Sequence, residues 1–200
     1  SAMVLLGAEA SEGRFRERAR EHGVLHLGTH AEMNPIAPMY SRLVLSKDHD
    51  TSGMDGYLHA YEIYELDLNA QLAVLTACET GTGRNDDGEG VRSLGHAFAY
   101  AGCPSLVMSL WKIDEKVSSE IIERFYRYLA KGMPKHKALR QAKLDHLDGA
   151  QDELALPYYW AGLVVVGDVG PVDVARSRWA WWALGGLLLF GLLFWWRRWR

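Results

Sequence analysis

Four short apolar runs divide the chain and have the pattern of buried strands. They lie at residues 24–29, 72–77, 105–111 and 160–166. A strand that is covered on both faces reads as a continuous hydrophobic run, because neither face meets water. Amphipathic segments with helical spacing separate the runs, most clearly at residues 115–131. This alternation predicts an α/β fold in three layers, with a mostly parallel sheet flanked by helices.

The polar stretches between the runs predict the remaining elements. Residues 8–22 are typical of a charged surface helix, with Ser11 as N-cap and Glu12 in the first turn, where the helix dipole favours an acid. Residues 41–46 and 56–59 flank a turn-rich segment and predict a hairpin. Further helices are predicted at residues 61–66, 90–101 and 134–147.

The end of the chain differs sharply from the rest. Residues 179–196 carry no charge, hold tryptophans near both ends and are bracketed by arginines. A spanning helix needs about 20 apolar residues, and tryptophans gather at the two membrane interfaces. We therefore predict a linker at 171–178, a transmembrane helix at 179–196 and a basic tail at 197–200. The arginines on both sides leave the orientation undecided under the positive-inside rule.

Composition narrows the functional classes. Hydrophobic residues make up 48% of the chain, which excludes a disordered protein, and the net charge of −3 predicts no nucleic-acid partner. Cys78 and Cys103 each lie in an apolar setting and do not form a disulfide framework. Cys103 is predicted to be a core thiol, since free cysteine packs as a small hydrophobe. Both thiols suit a reducing compartment, which favours the cytoplasmic side of a membrane.

Two of the apolar runs lead into side chains that can do chemistry. The run at 24–29 is followed by His30, and the run at 72–77 is followed by Cys78 and a glycine-rich loop. Residues at the carboxyl ends of such strands face the crevice where open α/β sheets bind ligands. In a cysteine hydrolase the thiolate of the cysteine attacks the substrate carbonyl. A histidine acts first as the base that deprotonates the thiol and then as the acid that protonates the leaving group. The pair predicts a cysteine hydrolase, and its spacing of 48 residues is close to the roughly 50 of caspases.

Other polar groups near this pair have simpler interpretations. His26 is predicted to share a strand face with His30 and to be a core histidine with a satisfied hydrogen bond. Zinc on His26, His30 and Cys78 is disfavoured, because no fourth ligand or closely spaced pair is present. A weak calcium site is the alternative to a solvated acidic loop at Asp86, Asp87 and Glu89, but the ligand spacing of an EF-hand is missing. We predict no metal and no cofactor.

Five blocks of the sequence, in order, resemble the CHAT domain. They lie at residues 25–30, 75–81, 88–90, 99–111 and 157–162. CHAT domains are caspase-like, separase-related proteases that usually follow tetratricopeptide repeats in bacterial proteins. The resemblance implies a caspase–hemoglobinase fold and cleavage of a specific protein substrate by a Cys78–His30 dyad. Some members act in bacterial defence by cleaving partner proteins, including pore-forming gasdermins.

The resemblance also implies roles for individual residues. The backbone amides of Cys78 and Ala31 would form the oxyanion hole, where N–H donors stabilise the developing charge. Asp114 and Glu115 would help to receive a basic P1 side chain, although acids are favoured at those positions simply as N-cap and first-turn residues of the following helix. Trp111 would line the same pocket or fill the core, and the sequence leaves both open.

In the caspase fold the histidine strand is the third of the sheet and the cysteine strand is the fourth. The first strands and a regulatory repeat region are therefore expected to lie outside this chain, so that residues 1–170 form the C-terminal portion of a CHAT domain. An edge strand that is normally covered would then be exposed. The sequence thus predicts a membrane-anchored, caspase-like cysteine endopeptidase. The alternative is a catalytically silent, membrane-tethered scaffold.

Overall fold

Nine strands and six α-helices follow one another in the part of the chain that the computed structural model describes. The described residues are 2–34, 36–48, 53–76, 85–86, 90–91, 94–111 and 114–173. The strands are β1 (Val24–Leu27), β2 (His30–Glu32), β3 (Arg42–Val44), β4 (Tyr57–His59), β5 (Leu72–Leu75), β6 (Asn85–Asp86), β7 (Gly90–Val91), β8 (Ser105–Ser109) and β9 (Leu163–Gly167). The helices are α1 (Glu12–Arg18), α2 (Ala60–Tyr64), α3 (Leu94–Tyr100), α4 (Glu115–Ala130), α5 (Lys135–Gly149) and α6 (Pro157–Trp160).

The central sheet has four strands in the order β1-β5-β8-β9. The first three run parallel, with Leu27 beside Leu75 and Leu75 beside Met108, while β9 pairs antiparallel with β8. All four predicted apolar runs therefore become strands of one sheet. The prediction of a mostly parallel sheet flanked by helices is confirmed.

Two apolar cores cover the two faces of this sheet, which accounts for the continuous apolar runs. One core joins alternate residues of β5 and β8 to α2 and α3, and its largest side chain is the fully buried Phe98. The other core joins the intervening strand residues to α4 and α5 around the fully buried Phe125. All four residues of β5 are fully buried, because the strand has a covered face on each side.

The helix ends follow the local signals in the sequence. The Ser11 hydroxyl accepts a hydrogen bond of 3.3 Å from the Arg14 amide at the start of α1, as its predicted N-cap role requires. Helix α4 ends before Gly132, whose φ of +81° is a conformation that only glycine adopts without strain. The predicted helix at 90–101 is shorter in the structure, because β7 occupies its first residues and α3 begins at Leu94.

A second, smaller sheet changes the position predicted for His30. Strands β2, β3 and β4 form an antiparallel sheet, of which only the β3–β4 hairpin was predicted. Strand β1 ends at Leu27, and His30 begins β2 in this other sheet. The prediction that His26 and His30 share one strand face is therefore wrong, because the chain turns at Gly28 and Thr29 between them.

Strand β1 is an edge of the described sheet and pairs only with β5 there, as the expected exposed edge strand would. On its inner side Leu25 and Leu27 are buried, whereas Val24 and His26 are exposed. Across residues 2–173, apart from the gaps given above, no helix is long and apolar enough to cross a membrane. The predicted spanning helix at 179–196 and the basic tail lie outside the described residues.

Cys103 is a core residue, as predicted. It is fully buried, and its thiol donates to the carbonyl of Ser105 over 3.3 Å. Desolvation by this burial raises the pKa of the thiol. Burial thus disfavours the thiolate form of Cys103.

Candidate active site

The carboxyl ends of three neighbouring parallel strands gather the candidate site residues at one edge of the sheet. His30 follows β1, the Cys78 loop follows β5, and Trp111 follows β8. Because β5 lies between β1 and β8, Thr76, the last described residue before Cys78, stands between the ends of these two strands. Cys78 itself lies outside the described residues: β5 ends at Leu75, and this part of the chain is described as far as Thr76, two residues before Cys78.

His30 is exposed on the outer face of the small sheet. It pairs with Val44 across β3, and cross-strand partners point to the same face. The hydroxyl of the preceding Thr29 donates to the Val44 carbonyl and ties the turn to β3. The imidazole is thus presented to solvent from a strand that is held in place, beside the carboxyl edge of the large sheet.

The direction of the backbone groups along β3 decides which amides of β2 are free. The Leu45 amide donates to Gly56, and the Ala60 amide donates to Ser41, each over 2.8 Å. Residues 41 and 45 of this segment thus turn their backbone groups towards β4. Since these groups alternate in direction along an antiparallel strand, the even-numbered residues of β3 turn theirs towards β2.

The amide of Ala31 is consequently left out of the pairing. Its neighbours His30 and Glu32 lie opposite the even-numbered residues of β3 and use their backbone groups in the ladder. The N–H of Ala31 points to the opposite, open side of β2, and within the described residues it donates no hydrogen bond. An available N–H next to the candidate base is what an oxyanion hole requires.

A hydrogen bond joins β1 to Thr76, two residues before Cys78. The His26 ring nitrogen Nε2 lies 3.1 Å from the hydroxyl of Thr76, whose amide donates to the Leu27 carbonyl over 3.2 Å. The prediction of a satisfied histidine is confirmed, but its core location is wrong, because His26 is exposed on the edge strand. Its ring centroid lies 5.7 Å from that of Tyr126, and desolvation lowers the pKa of His26. The sequence carried no signal for this contact.

The three residues predicted to form a P1 pocket stand at the end of β8 and the start of α4. Trp111 is half-buried and donates its indole N–H to the Tyr158 carbonyl over 3.0 Å, which fixes its ring against α6. Asp114 is the N-cap of α4 and accepts from the Val117 amide over 2.9 Å. Glu115, in the first turn, is exposed. Asp114 therefore caps helix α4, and this role is independent of any contact with a substrate.

The two roles of Asp114 can be separated by substitution. Asparagine caps a helix about as well as aspartate but has no charge, whereas alanine loses the cap at a cost of about 0.5–2 kcal/mol. If the carboxylate receives a basic P1 side chain, Asp114→Asn should lower kcat/KM for peptides with P1 arginine by about tenfold or more, with unchanged urea stability. If the parent protein and Asp114→Asn cleave at the same rate, and only Asp114→Ala loses stability, Asp114 acts as a helix cap and does not bind the substrate.

No group of three or more His, Cys, Asp or Glu side chains within the described part of the chain is placed to hold a metal ion. The side chains of the acidic loop, Asp86, Asp87 and Glu89, lie outside that part, as does Cys78. The predictions about zinc and calcium at these residues therefore stay predictions.

Comparison with known proteins identifies the family of this chain. Residues 1–168 match the family model of the CHAT domain, and the chain belongs to this family, which is related to caspase-like cysteine proteases. Mouse Tetratricopeptide repeat protein 28 is 26% identical over 110 residues, and its human counterpart is 28% identical over 110 residues. These alignments cover 55% of this chain but only 4% of each relative. Both relatives carry tetratricopeptide repeats in their name, which fits the expected association of this domain with such repeats.

Proposed function

We propose that this protein is a cysteine endopeptidase that cleaves a protein partner through Cys78 and His30. The observation that supports it best is the order of the strand ends: the candidate base, the cysteine loop and the candidate P1 residues follow three adjacent parallel strands. Membership in the CHAT family adds the expectation of a caspase-like Cys–His dyad.

In the proposed reaction Cys78 is the nucleophile, His30 transfers protons, and two backbone amides bind the oxyanion. His30 takes the proton of the Cys78 thiol, the thiolate attacks the scissile carbonyl carbon, a C–S bond forms, and the carbonyl electron pair moves onto oxygen. The amides of Ala31 and Cys78 donate to that oxygen. As the intermediate collapses, the C–N bond breaks and His30 gives its proton to the leaving amine. A water deprotonated by His30 then hydrolyses the thioester, which releases the carboxylic acid and restores the thiol.

Two structural features favour this assignment of roles. Within the described part of the chain the Ala31 amide has no hydrogen-bond partner on the open side of β2, which would leave it available to an oxyanion. The bond between His26 and Thr76 holds the residue two positions before Cys78 against β1, the strand that precedes His30 in the chain. A site of this kind needs its reacting groups fixed relative to one another, because misplacement by about 1 Å can cost about a hundredfold in rate.

We further propose that residues 179–196 tether the domain to a membrane, with the protease on the cytoplasmic side. The uncharged, tryptophan-flanked composition of this segment is the reason. A tether would raise the effective concentration of the enzyme near a membrane-acting substrate, as a role in defence or regulated cell death would require. Flotation with vesicles tests the tether: a variant lacking these residues should stay at the bottom of the gradient.

The decisive experiment compares the full-length protein with its Cys78→Ala variant on a proteome-derived peptide library read by mass spectrometry. We expect cleavage that disappears in the variant. Equal peptide patterns for the two proteins, with Cys78→Ala still carrying out the cellular role, would instead identify a non-catalytic tethered scaffold.

A further inference from the structure

Strand β9 forms the other edge of the central sheet. In the described part of the chain it pairs only with β8, in a regular antiparallel register that places Val165 opposite Val107. Its sequence is Leu-Val-Val-Val-Gly, and Val166 is 45% exposed. No proline, charged residue or bulge interrupts the strand, although such features usually keep an edge from pairing with another chain. Strand β9 is therefore an edge that can accept a further strand.

Alternate residues of β9 turn their backbone groups away from β8. The Leu110 amide donates to the Gly162 carbonyl over 2.9 Å, and the Asp168 amide donates to the Pro104 carbonyl over 2.8 Å. The even-numbered residues of β9 thus direct their backbone groups towards β8. The residues whose amides and carbonyls point outward instead are Leu163 and Val165. Within the described residues these outward groups have no hydrogen-bond partner.

A groove of about 470 Å³ lies between this edge and helix α5. Its apolar lining includes Leu144, Trp160 and Val165. Leu163 and Val165 face the α4–α5 side of the sheet, so a strand added to β9 would direct every second side chain to the same side, into the groove. We call this space the β9 groove. It combines free backbone groups with an apolar surface.

The charged and titratable side chains that line the β9 groove are all basic: His136, Arg140 and Lys143. Arg140 is exposed and has no ion-pair partner among the described residues. The Lys143 ammonium donates to the Ala161 carbonyl over 3.4 Å and lies 5.8 Å from the centre of the Trp160 ring. Burial lowers the pKa of Lys143, and no carboxylate in the described structure pairs with it to oppose this effect.

Acidic residues near α5 do not neutralise the lining of the groove. Asp145 accepts hydrogen bonds from Tyr128 and Gln141, on the side of α5 that packs on α4. Asp168 binds the buried Lys135 over 2.9 Å. Three further acids are exposed at the end of α5 or beyond it and do not line the groove: Asp148, Asp152 and Glu153. The described lining therefore carries the charges of Arg140 and Lys143 without an acidic counterpart.

We propose that β9 and its groove bind an acidic, extended segment of a protein partner as an added β-strand. The outward backbone groups of β9 require donors and acceptors in a repeating register, which a peptide main chain provides and a lipid headgroup does not. Arg140 and Lys143 favour acidic side chains on the face of that segment that meets α5. The inference does not depend on the proposed peptidase activity.

Two other occupants of the groove are disfavoured by charge. A second copy joined antiparallel through β9 would continue the sheet with its own α5 on the same face. Its Arg140 and Lys143 would then approach those of the first copy, and like charges repel. Residues 174–200 of this chain contain five arginines and no acid, so the same repulsion disfavours them.

The test is a binding titration with the full-length Cys78→Ala protein, so that proposed cleavage cannot consume the probe. The probe is a fluorescein-labelled nonapeptide, Gly-Thr-Glu-Val-Glu-Val-Glu-Thr-Gly, followed by fluorescence polarisation. We expect saturable binding that weakens about tenfold or more in Arg140→Glu. The matched control is Lys137→Glu, which reverses an exposed charge of the same helix outside the groove and should keep the affinity within about threefold.

Two N-methylated probes test strand addition apart from charge. Backbone groups of alternate residues point to opposite edges of a strand, so methylating either the glutamate amides or the valine and threonine amides blocks one edge only. We expect one of these probes to lose about tenfold or more in affinity, since its blocked edge is the one that pairs with β9. The other should bind like the parent probe.

Four results would overturn the proposal: no binding at millimolar protein, equal affinity in Arg140→Glu and Lys137→Glu, parent affinity for both N-methylated probes, or equal affinity for a probe with lysine in place of glutamate. Two more would assign the groove to another occupant and also overturn it. One is a dimer in analytical ultracentrifugation that excludes the probe. The other is binding of a variant without residues 179–196 to phosphatidylserine vesicles that is lost in Arg140→Glu and that the probe does not displace.

Discussion

Replacing His30 by alanine is expected to lower kcat/KM for peptide cleavage by about 10²–10⁴-fold, the usual contribution of a positioned acid–base residue. The loss should appear in kcat, because His30 is assigned to proton transfer and not to substrate binding. The imidazole is exposed, so the urea midpoint of the variant should remain that of the parent protein. Cleavage of a peptide identified in the library experiment is the measurement.

Two other histidines make this experiment specific. His136 is exposed at the start of α5, which lies at the opposite edge of the sheet, and His136→Ala should retain activity within about twofold. His26→Ala removes the bond to Thr76 and should reduce activity less than His30→Ala, because it acts only through the position of the cysteine loop. Full activity in His30→Ala would remove this residue from the mechanism and with it the proposed dyad.

Replacing Phe125 by alanine is expected to destabilise the domain by about 3–5 kcal/mol, the range for large aromatic side chains removed from a core. Phe125 lies on α4 and is fully buried in the core that this helix forms with α5 and the central sheet. A loss of this size is a large fraction of the roughly 5–15 kcal/mol by which domains are stable, so the variant should be largely unfolded in moderate urea. Urea unfolding followed by circular dichroism measures it.

The control for this prediction is Tyr100→Ala, which changes an exposed ring and should shift stability by no more than about 0.5 kcal/mol. The loss of stability in Phe125→Leu should lie between those of Tyr100→Ala and Phe125→Ala, since leucine fills most of the space of the phenylalanine ring. A cost below about 1 kcal/mol for Phe125→Ala would mean that this face of the sheet is loosely packed, contrary to the buried contacts described above.

Much of the large sheet could be predicted from the sequence because its signals are local. Strands β5 and β8 are apolar on both faces, and this alone distinguishes them from amphipathic helices. Helix α4 shows its apolar stripe in its own sequence, and its start is marked by the capping side chain of Asp114. These patterns depend on residues within a few positions of one another.

The candidate site was predictable only in part. The order of His30, Cys78 and Trp111 at successive strand ends follows from the parallel order of β1, β5 and β8, which strand–helix alternation favours. By contrast, His26 is exposed although it was predicted to lie in the core. Its surroundings are set by the edge position of β1 and by Thr76, 50 positions further along the chain, and no local pattern records either.

The sequence by itself determined the α/β class, the four strands of the large sheet and the two side chains that the proposed chemistry requires. Only the tertiary structure decided that His30 begins a separate sheet and that, among the described residues, the Ala31 amide has no partner. Both depend on the register between strands that are separate in the chain. A slip of one residue would turn each side chain to the other face. A strand of three residues has too few side chains to specify its register by its own sequence.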